Sequence, residues 1–447
     1  MSLKIALIST TQKSGCPPIG LVYLASYIHK HTNDKVKIID ANYQDILKSD
    51  YSDYDLVGIN AMTVNYRKAT RLALEINHKN NKIPIIIGGV HISTNLDSQS
   101  LNVFESMVIG EGERSFIQLL KDFKENGYLE EIYETEQMND LDDLTPPDWD
   151  LIDKRYFERQ LNTTFAEYGI EGWLLTSRGC PFLCHFCSTT RFWKRVRSHS
   201  VYYIKNLIED LKKRGVTHIQ IWDDLFTIDK NRLRQLQPFL KNSGIKYNCQ
   251  PRINKIDEET CQILKDSNIT LCIFGFESGN DRVLKYLKND ESLSIKKSKQ
   301  AIKLCRKYKL DVQGSLIFGS PTETLSEMID TLKFMLWCYF NGVQRLWAFV
   351  ATPFPATEFW KYTPKYVDYE ELSHHTKHPL LLDKSVKLWQ FKIVMFLAHR
   401  IEDLFKLKKL WKLIEGYSVT VENGGLYPSN LLLPLRKKFG EIENNRE

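Results

Sequence analysis

Short apolar runs alternate with stretches of helical periodicity over the first third of the sequence. Five runs have the length and the β-branched content of buried parallel strands: residues 5–8, 36–39, 56–59, 85–87 and 107–109. Between them, residues 21–29 and 67–77 place apolar side chains at helical spacing. The pattern predicts an α/β domain with a doubly wound, Rossmann-like sheet over residues 1–137. Ligands of such sheets bind beyond the carboxyl ends of the strands.

A second alternating series lies beyond residue 165. Residues 138–165 begin with the acidic, proline-containing stretch MNDLDDLTPPDWDLID, which cannot continue a helix and predicts a linker. Six further strands are predicted between helical segments: residues 173–176, 218–222, 246–249, 270–274, 312–318 and 346–351. Six strand–helix repeats over residues 166–361 predict a partial or complete (β/α) barrel, whose chemistry belongs at the C-terminal ends of its strands.

The last part of the sequence, residues 362–447, has few strand patterns and predicts helices. Its basic amphipathic segment FKLKKLWKL, at 405–413, favours a helical cap packed on the barrel, with contact to a membrane surface as the alternative. The sequence has no charged and apolar leader and no apolar run near the ~20 residues that span a bilayer, so we expect a cytoplasmic protein. The net charge of +6 is modest and no nucleic-acid recognition motif is present, so no nucleic-acid partner is expected.

Three of the nine cysteines crowd into eight residues directly after the first predicted barrel strand, in the stretch SRGCPFLCHFC. Their spacing is C-x3-C-x2-C, and an odd number without a nearby partner argues against disulfides. Structural zinc takes four ligands, and His185, between two of the cysteines, is expected to point away. A [4Fe–4S] cluster held by only three cysteines keeps one iron open. The residues alone leave several interpretations: a metal site, which is either a reactive cluster or the zinc of a binding protein, a site of reactive thiols, or a chance grouping of cysteines.

This motif, with the aromatic Phe186 just before its last cysteine, resembles the radical S-adenosylmethionine (SAM) superfamily. The resemblance implies a partial (β/α)6 barrel with a [4Fe–4S] cluster on Cys180, Cys184 and Cys187, and with Phe186 beside the cofactors. In that family the open iron chelates the amino and carboxylate groups of SAM. An electron from the cluster cleaves the sulfonium, and the resulting 5′-deoxyadenosyl radical abstracts a hydrogen atom from the substrate.

Similar motifs follow the other barrel strands. Asp223 and Asp224, in WDDLFT, match family residues near the SAM amino group, with capping of the next helix as the alternative. The G-x-E-S-G motif at 275–279 implies that Glu277 accepts hydrogen bonds from the ribose hydroxyls. Arg252 follows the third strand as an arginine does in related sequences. Ser315 belongs to GSLIFGSPTE, which the resemblance places beside the adenosine.

A doubly wound domain ahead of such a barrel resembles the cobalamin (B12)-binding subclass. Gly88, Gly89 and His91 lie in a turn similar to its G-G-x-H motif, and Gly110 and Glu111 begin its G-E-G-E motif. The resemblance implies a corrin between the sheet edge and the barrel mouth, with glycine backbone against the ring. The D-x-H-x-x-G motif is absent, so His91 is expected near the corrin rather than on cobalt. A domain that has lost cobalamin is the alternative.

The function implied by the resemblance is methylation of an unactivated carbon of an organic substrate. One SAM would methylate reduced cobalamin and a second would generate the radical. The alternative is a radical rearrangement, cyclisation or dehydration without methylation, with or without cobalamin. The expected partners are a small-molecule or lipid-like substrate and an electron donor such as a flavodoxin or ferredoxin.

Overall fold

The computed structural model describes residues 2–12, 15–95, 102–158, 169–363, 368–369, 372–373, 376 and 379–421, with side chains described as far as residue 405. The chain divides into two compact units, residues 1–398 and residues 399–447. The first unit contains both predicted sheets.

The first sheet consists of six parallel strands in the order β2-β1-β3-β4-β5-β6. Its strands are β1 (Lys4–Ser9), β2 (Lys35–Asp40), β3 (Leu56–Asn60), β4 (Ile85–Gly88), β5 (Ser106–Ile109) and β6 (Ile132–Glu134). Its helices are α1 (Ile19–His31), α2 (Tyr66–Lys79), α3 (Val90–Thr94) and α4 (Gly112–Asn126). The doubly wound prediction is confirmed. The order reverses between β1 and β3, which is where such folds bind ligands.

The sequence did not predict β6. This strand has three residues, and Ile132 is 41% exposed while its neighbour Tyr133 is buried. A three-residue edge strand carries too few alternating positions to produce a recognisable period.

The proline-containing stretch after this sheet packs against both sheets. It forms three short 3-10 turns, Leu141–Asp143, Trp149–Leu151 and Lys154–Phe157, and an aspartate side chain caps each of them. These caps explain why the stretch is acidic. Tyr156 is fully buried, donates a hydrogen bond to Asp40 of β2 (2.6 Å) and packs its ring on Trp173.

The second sheet also has six parallel strands, in the order β14-β13-β12-β11-β10-β7. Its strands are β7 (Ile170–Leu174), β10 (Val216–Ile221), β11 (Lys246–Cys249), β12 (Ile269–Glu277), β13 (Asp311–Phe318) and β14 (Arg345–Val350). A two-residue antiparallel ribbon, β8 (Ser177–Arg178) with β9 (Arg197–Ser198), follows β7. Because β7 and β14 are the two edges of the sheet, the barrel is open, as the partial (β/α)6 prediction requires.

Helices separate these strands: α5 (Thr189–Phe192), α6 (Val201–Lys213), α7 (Lys230–Asn242), α8 (Glu258–Asp266), α9 (Asp281–Lys288), α10 (Ile295–Lys307) and α11 (Leu325–Phe340). The isolated cysteines on these elements are buried in the core, as free thiols often are: Cys249, Cys261, Cys272, Cys305 and Cys338.

The last described helix is α12 (Leu388–Val421), which agrees with the helical prediction for this part of the chain. The basic segment 405–413 lies on this helix, but its side chains beyond residue 405 lie outside the described residues. Among the helices described, none is both long and apolar enough to cross a membrane.

Candidate active site at the mouth of the barrel

The three predicted cluster cysteines lie on a loop, residues 179–196, whose two ends are joined by the β8–β9 ribbon. Gly179 opens the loop with φ +96°, and a Cβ atom there would overlap the Arg195 carbonyl on the opposite side. Only glycine fits this position, which explains the glycine of the S-R-G-C-P motif. The thiols of Cys180, Cys184 and Cys187 are half-buried.

These thiols suit a bound iron–sulfur cluster. Burial raises the pKa of Cys180 and of Cys187 above that of an ordinary thiol, and the neighbouring thiols add to the increase. A metal that binds these thiols must displace their protons. When bound, the cluster would be held by these three cysteines.

The expectation that His185 points away from the cysteines agrees with the structure. Its ring packs edge-on against Tyr286, with 4.8 Å between ring centroids, and its backbone N–H donates to the carbonyl of Leu287 (2.9 Å). Within the described part of the chain, no three His, Cys, Asp or Glu side chains are arranged to hold a single metal ion.

Two adjacent aspartates after β10 hold the beginning of the cysteine loop. Asp223 is fully buried and accepts hydrogen bonds from the backbone N–H and the hydroxyl of both Thr176 and Ser177. Asp224 accepts from the N–H of Gly179 (2.9 Å). Burial raises the pKa of both carboxyls above the ordinary range.

The helix-capping alternative for these aspartates is wrong, because Asp229 caps α7. Asp223 binds Thr176 through its N–H and its hydroxyl, and β7 ends at Leu174 rather than at residue 176 as predicted. A contact of Asp223 or Asp224 with SAM stays a prediction. The carboxylate oxygens of Asp223 already accept hydrogen bonds from Thr176 and Ser177. Asp224 also lines a cavity between the two sheets.

Glu277 and Ser315 lie together on neighbouring strands. Glu277 has a left-handed backbone (φ +62°) and lies at a shift in the register between β12 and β13. Its carboxylate accepts hydrogen bonds from Lys288 (2.7 Å) and from the Ser315 hydroxyl (3.2 Å). A Cβ atom at Gly275 would overlap that carboxylate, which explains the first glycine of the G-x-E-S-G motif. Lys288 also lies 5.5 Å above the ring of Phe186 in the cysteine loop. Sequence reasoning missed Lys288, which no motif marks.

On the other side of the cysteine loop, a cavity of about 530 Å³ lies between the two sheets. Its lining includes the ends of β1, β3 and β4 at Ser9, Asn60 and Gly88, the turn 110–113, and the barrel residues Trp193 and Asp224. This is the location that the sequence predicted for a corrin. The volume falls in the usual range for ligand sites, about 300–1,000 Å³.

The predicted corrin contacts divide into two groups. Gly88 and Gly110 line the cavity, and a Cβ atom at Gly110 would meet open space, so this backbone can approach a flat ring. Gly89 also lines the cavity, but the backbone around it already requires glycine at this position. It has φ +104°, and a Cβ atom would lie 2.7 Å from the carbonyl oxygen of Ala61. The prediction that Gly89 is a glycine because of the corrin therefore needs correction.

His91 is also placed differently from the prediction. Val90 lines the cavity, whereas His91 on the next position of α3 is fully buried between aromatic rings. Its ring lies 4.2 Å from that of Tyr66 and 4.8 Å from that of Tyr369, and Nδ1 hydrogen-bonds the Thr63 hydroxyl (3.2 Å). Consecutive helical residues point about 100° apart, so Val90 and His91 face different surroundings.

Glu111 differs from the prediction in the role of its side chain. The residue lines the cavity, but both carboxylate oxygens accept hydrogen bonds from Arg178 and Arg197 of the barrel. These charges outweigh the effect of burial, which alone would raise the pKa of Glu111, and hold that pKa below its ordinary value. Sequence reasoning missed Arg197, which lies outside the cysteine motif.

Two family profiles match the chain: the B12 binding domain over residues 5–120 and the radical SAM superfamily over residues 174–335. An uncharacterized methyltransferase of Pyrococcus horikoshii is 30% identical over 375 residues, which cover 77% of this chain and 78% of that protein. The chain belongs to the radical SAM superfamily, in the class that carries a B12-binding domain. The cofactors of this class are a [4Fe–4S] cluster, SAM and cobalamin.

Other relatives are named methyltransferases. The bacteriochlorophyllide d C-8(2)-methyltransferase of Chlorobaculum tepidum is 26% identical, and the match covers 73% of this chain and 71% of that protein. Among solved structures, the radical SAM methyltransferase TsrM of Kitasatospora setae, with cobalamin and a [4Fe–4S] cluster bound, has a TM-score of 0.64 at 15% identity. That match covers 86% of this chain and 82% of TsrM and shows a shared fold.

Proposed function

We propose that this chain is a cobalamin-dependent radical SAM methyltransferase that methylates an unactivated carbon of a small organic substrate. The observation that carries the proposal is the cavity between the carboxyl ends of the first sheet and the cysteine loop of the barrel. One surface of this cavity, at the carboxyl ends of the first sheet, is where a corrin would bind, and the opposite surface includes Phe192 and Trp193 of the cysteine loop. A methyl carrier and a radical source at one cavity are the two parts that methylation of an unreactive carbon needs.

The residues take separate roles in this proposal. Cys180, Cys184 and Cys187 hold the cluster. The carboxylate of Glu277, oriented by Lys288 and Ser315, binds the ribose of SAM. When bound, the cluster supplies the electron that cleaves SAM, and the corrin carries the methyl group. The partly apolar lining of the cavity, which includes Trp193 and Trp222, excludes water from the reacting groups.

The relatives support methylation, and they also suggest the alternative. Several matched proteins are named methyltransferases, but the anaerobic magnesium-protoporphyrin IX monomethyl ester cyclase of Rubrivivax gelatinosus is 24% identical over 77% of this chain. A radical cyclisation is therefore the second candidate. The two reactions give different products from SAM, which makes them separable.

The test uses holoenzyme reconstituted without oxygen from iron, sulfide and hydroxocobalamin. It is incubated with SAM, a flavodoxin reducing system and a small-molecule extract of cells that lack this chain. We expect 5′-deoxyadenosine together with S-adenosylhomocysteine, and transfer of label from methyl-labelled SAM into one extract component. 5′-Deoxyadenosine without S-adenosylhomocysteine or label transfer would contradict methylation and favour the cyclisation class. The Cys180→Ala/Cys184→Ala/Cys187→Ala variant is the matched control, and it should form no 5′-deoxyadenosine and transfer no label into the extract.

A further inference from the structure

Four buried charged residues connect the cavity turn of the first domain with the cysteine loop of the barrel. Arg178 donates to Glu111 with one guanidinium nitrogen and to Glu113 with another, each at 2.8 Å. Arg197 binds Glu111 through two nitrogens, at 2.8 and 2.9 Å. The four side chains are between 3% and 8% exposed. Two cations and two anions therefore form a neutral, water-excluded network.

The positions of these residues connect the two predicted cofactor sites. Arg178 and Arg197 are directly paired across the β8–β9 ribbon, so they mark the two ends of the loop that carries the cysteines. Glu111 and Glu113 flank Gly112, the first residue of α4, in the turn that lines the cavity. A single carboxylate, that of Glu111, therefore binds both ends of the cysteine loop.

Further contacts reinforce the same junction. The Arg197 guanidinium donates to the carbonyl of Met138 (2.7 Å), whose own N–H donates to Glu111 (3.0 Å). The ring of Trp193, on the cavity wall, lies 5.2 Å from the guanidinium carbon of Arg178 and 5.8 Å from that of Arg197. The arginines are thus confined by carboxylates, by a backbone carbonyl and by an aromatic face.

Stability alone does not account for such a network. Desolvating four charges costs several kcal/mol per ion, and well-packed apolar residues often stabilise a protein as much or more. Paired arginine–carboxylate hydrogen bonds instead fix the relative orientation of the two side chains, because the planar guanidinium donates in a rigid geometry. A buried network of this kind at the junction of two domains is suited to fixing one relative position.

We propose that Glu111, Glu113, Arg178 and Arg197 are positioning residues that hold the cysteine loop at one place against the corrin cavity and so set the separation of the two cofactors. The proposal deepens the proposed function and rests on it for the role of each cofactor. Methyl transfer requires the substrate radical to reach the methyl carrier, so its yield depends on this separation. Radical formation from SAM requires the cluster and its external reductant but not the corrin.

The experiment compares holoenzyme with Glu113→Gln, which keeps the shape but removes one charge, and with Arg197→Lys, which keeps the charge but removes the paired bonds. Glu259→Gln, which breaks an exposed ion pair with Arg234 on distant helices, is the control. Iron and corrin contents establish that both cofactors are bound. The first readout is the magnetic coupling between cob(II)alamin and the reduced cluster by electron paramagnetic resonance, which needs no turnover. The second is the ratio of S-adenosylhomocysteine to 5′-deoxyadenosine.

We expect both variants to retain iron and corrin and to show a weakened or broadened magnetic coupling. They should also transfer about tenfold fewer methyl groups per 5′-deoxyadenosine, because small misplacements of reacting groups can reduce rates by at least this factor. The control should match the unmodified protein in both readouts. Unchanged coupling and unchanged product ratio in a variant that retains both cofactors would overturn the proposal. If Glu113→Gln does not fold, Arg197→Lys decides on the same criteria. If the unmodified enzyme transfers no methyl group, the proposed function fails, and the magnetic coupling still tests the positioning role.

Discussion

Arg252 donates a hydrogen bond to the sulfur of Cys184, with 3.5 Å between the guanidinium nitrogen and Sγ. A second nitrogen binds Asp290 (3.0 Å), and the guanidinium lies 3.8 Å above the ring of Phe182. The sequence marked Arg252 only as an arginine after the third barrel strand. The structure places its charge directly at a predicted cluster ligand, where it affects the electronic properties of that sulfur.

Arg252→Gln should lower the reduction potential of the cluster. Hydrogen bonds and positive charge at a ligating sulfur stabilise the reduced, more negative cluster. A hydrogen bond worth about 1 kcal/mol corresponds to about 40 mV for a one-electron couple. Arg252→Lys keeps the charge and should give a smaller shift. The measurement is an anaerobic titration followed by electron paramagnetic resonance, with Arg234→Gln as an exposed control. A potential equal to that of the unmodified protein would show that Arg252 does not interact with the cluster.

Replacing any one of Cys180, Cys184 and Cys187 with alanine should abolish the cluster and the formation of 5′-deoxyadenosine. Each substitution removes one of only three thiolates, and the predicted cluster has no spare protein ligand. Iron analysis and visible absorbance after anaerobic reconstitution measure the first effect, and chromatography of the products measures the second. Cys338→Ala, in the buried face of α11, removes a thiol elsewhere and should keep both properties. A single alanine variant with about four irons and normal product would refute the ligand assignment.

Glu277→Gln should weaken SAM binding by about tenfold, the effect of losing one charged hydrogen-bond acceptor. It should also lower stability, because Lys288 then keeps a buried charge without its carboxylate. The double variant Glu277→Gln/Lys288→Gln separates these effects. We expect it to recover stability but not affinity, measured by thermal unfolding and by equilibrium dialysis of SAM. Full affinity in the double variant would argue against the ribose role.

The sequence predicted most of the fold because its signals are local. All eleven predicted strands overlap observed ones, namely β1 to β5, β7 and β10 to β14, since short β-branched runs between turns have few other solutions. Local backbone conformation also accounts for glycines in the motifs. Gly179, for example, has φ +96°, a value that favours glycine. Ala356 has φ +60°, the left-handed region that favours glycine.

The side-chain partners were beyond sequence reasoning, because they come from distant elements. Glu111 was expected at a corrin, yet its carboxylate meets Arg197, 86 positions away. His91 was assigned to the cavity from its motif, but the orientation of a five-residue helix places Val90 there instead. A single sequence carries no information on which charges meet across a domain junction.

The stability of the protein should depend on His199 between pH 7 and pH 5. Burial lowers the pKa of His199 to about 4. The hydrogen bond that its ring donates to Asp142 opposes this shift, and the charges of Arg178 and Arg232 add to it. The folded pKa lies below the unfolded value of about 6.5. The unfolded chain therefore binds a proton that the folded chain does not, and stability falls as the pH falls from 6.5 towards 4.

This effect should amount to about 2 kcal/mol of unfolding free energy between pH 7 and pH 5. His199→Phe keeps a ring stacked on Tyr203 (4.1 Å between centroids) but removes the titrating group, so its stability should change less over this interval. Urea unfolding of the apo-protein at both pH values measures the difference. His78→Phe, at an exposed position, should behave like the unmodified protein. An equal pH dependence in His199→Phe would rule out this histidine as the source.

The corrin cavity can be tested best at Gly20 rather than at Gly89. Substitution of Gly89 would overlap the chain itself, so loss of corrin there would not distinguish a blocked site from a damaged fold. Gly20, in the first turn of α1, lines the cavity, and a Cβ atom there would meet nothing within 4 Å. Gly20→Trp should therefore place an indole in the cavity without disturbing the packing around it.

We expect Gly20→Trp to reduce hydroxocobalamin uptake by about tenfold or more, because the indole takes up space that the ring needs, and to leave the iron content unchanged. Lys30→Trp, at an exposed position in the last turn of the same helix, provides the same residue away from the cavity and should bind corrin normally. Corrin absorbance and iron analysis after anaerobic reconstitution give both quantities. Equal corrin uptake in the two variants would mean that cobalamin does not occupy this cavity, and the proposed methyltransferase would lose its methyl carrier.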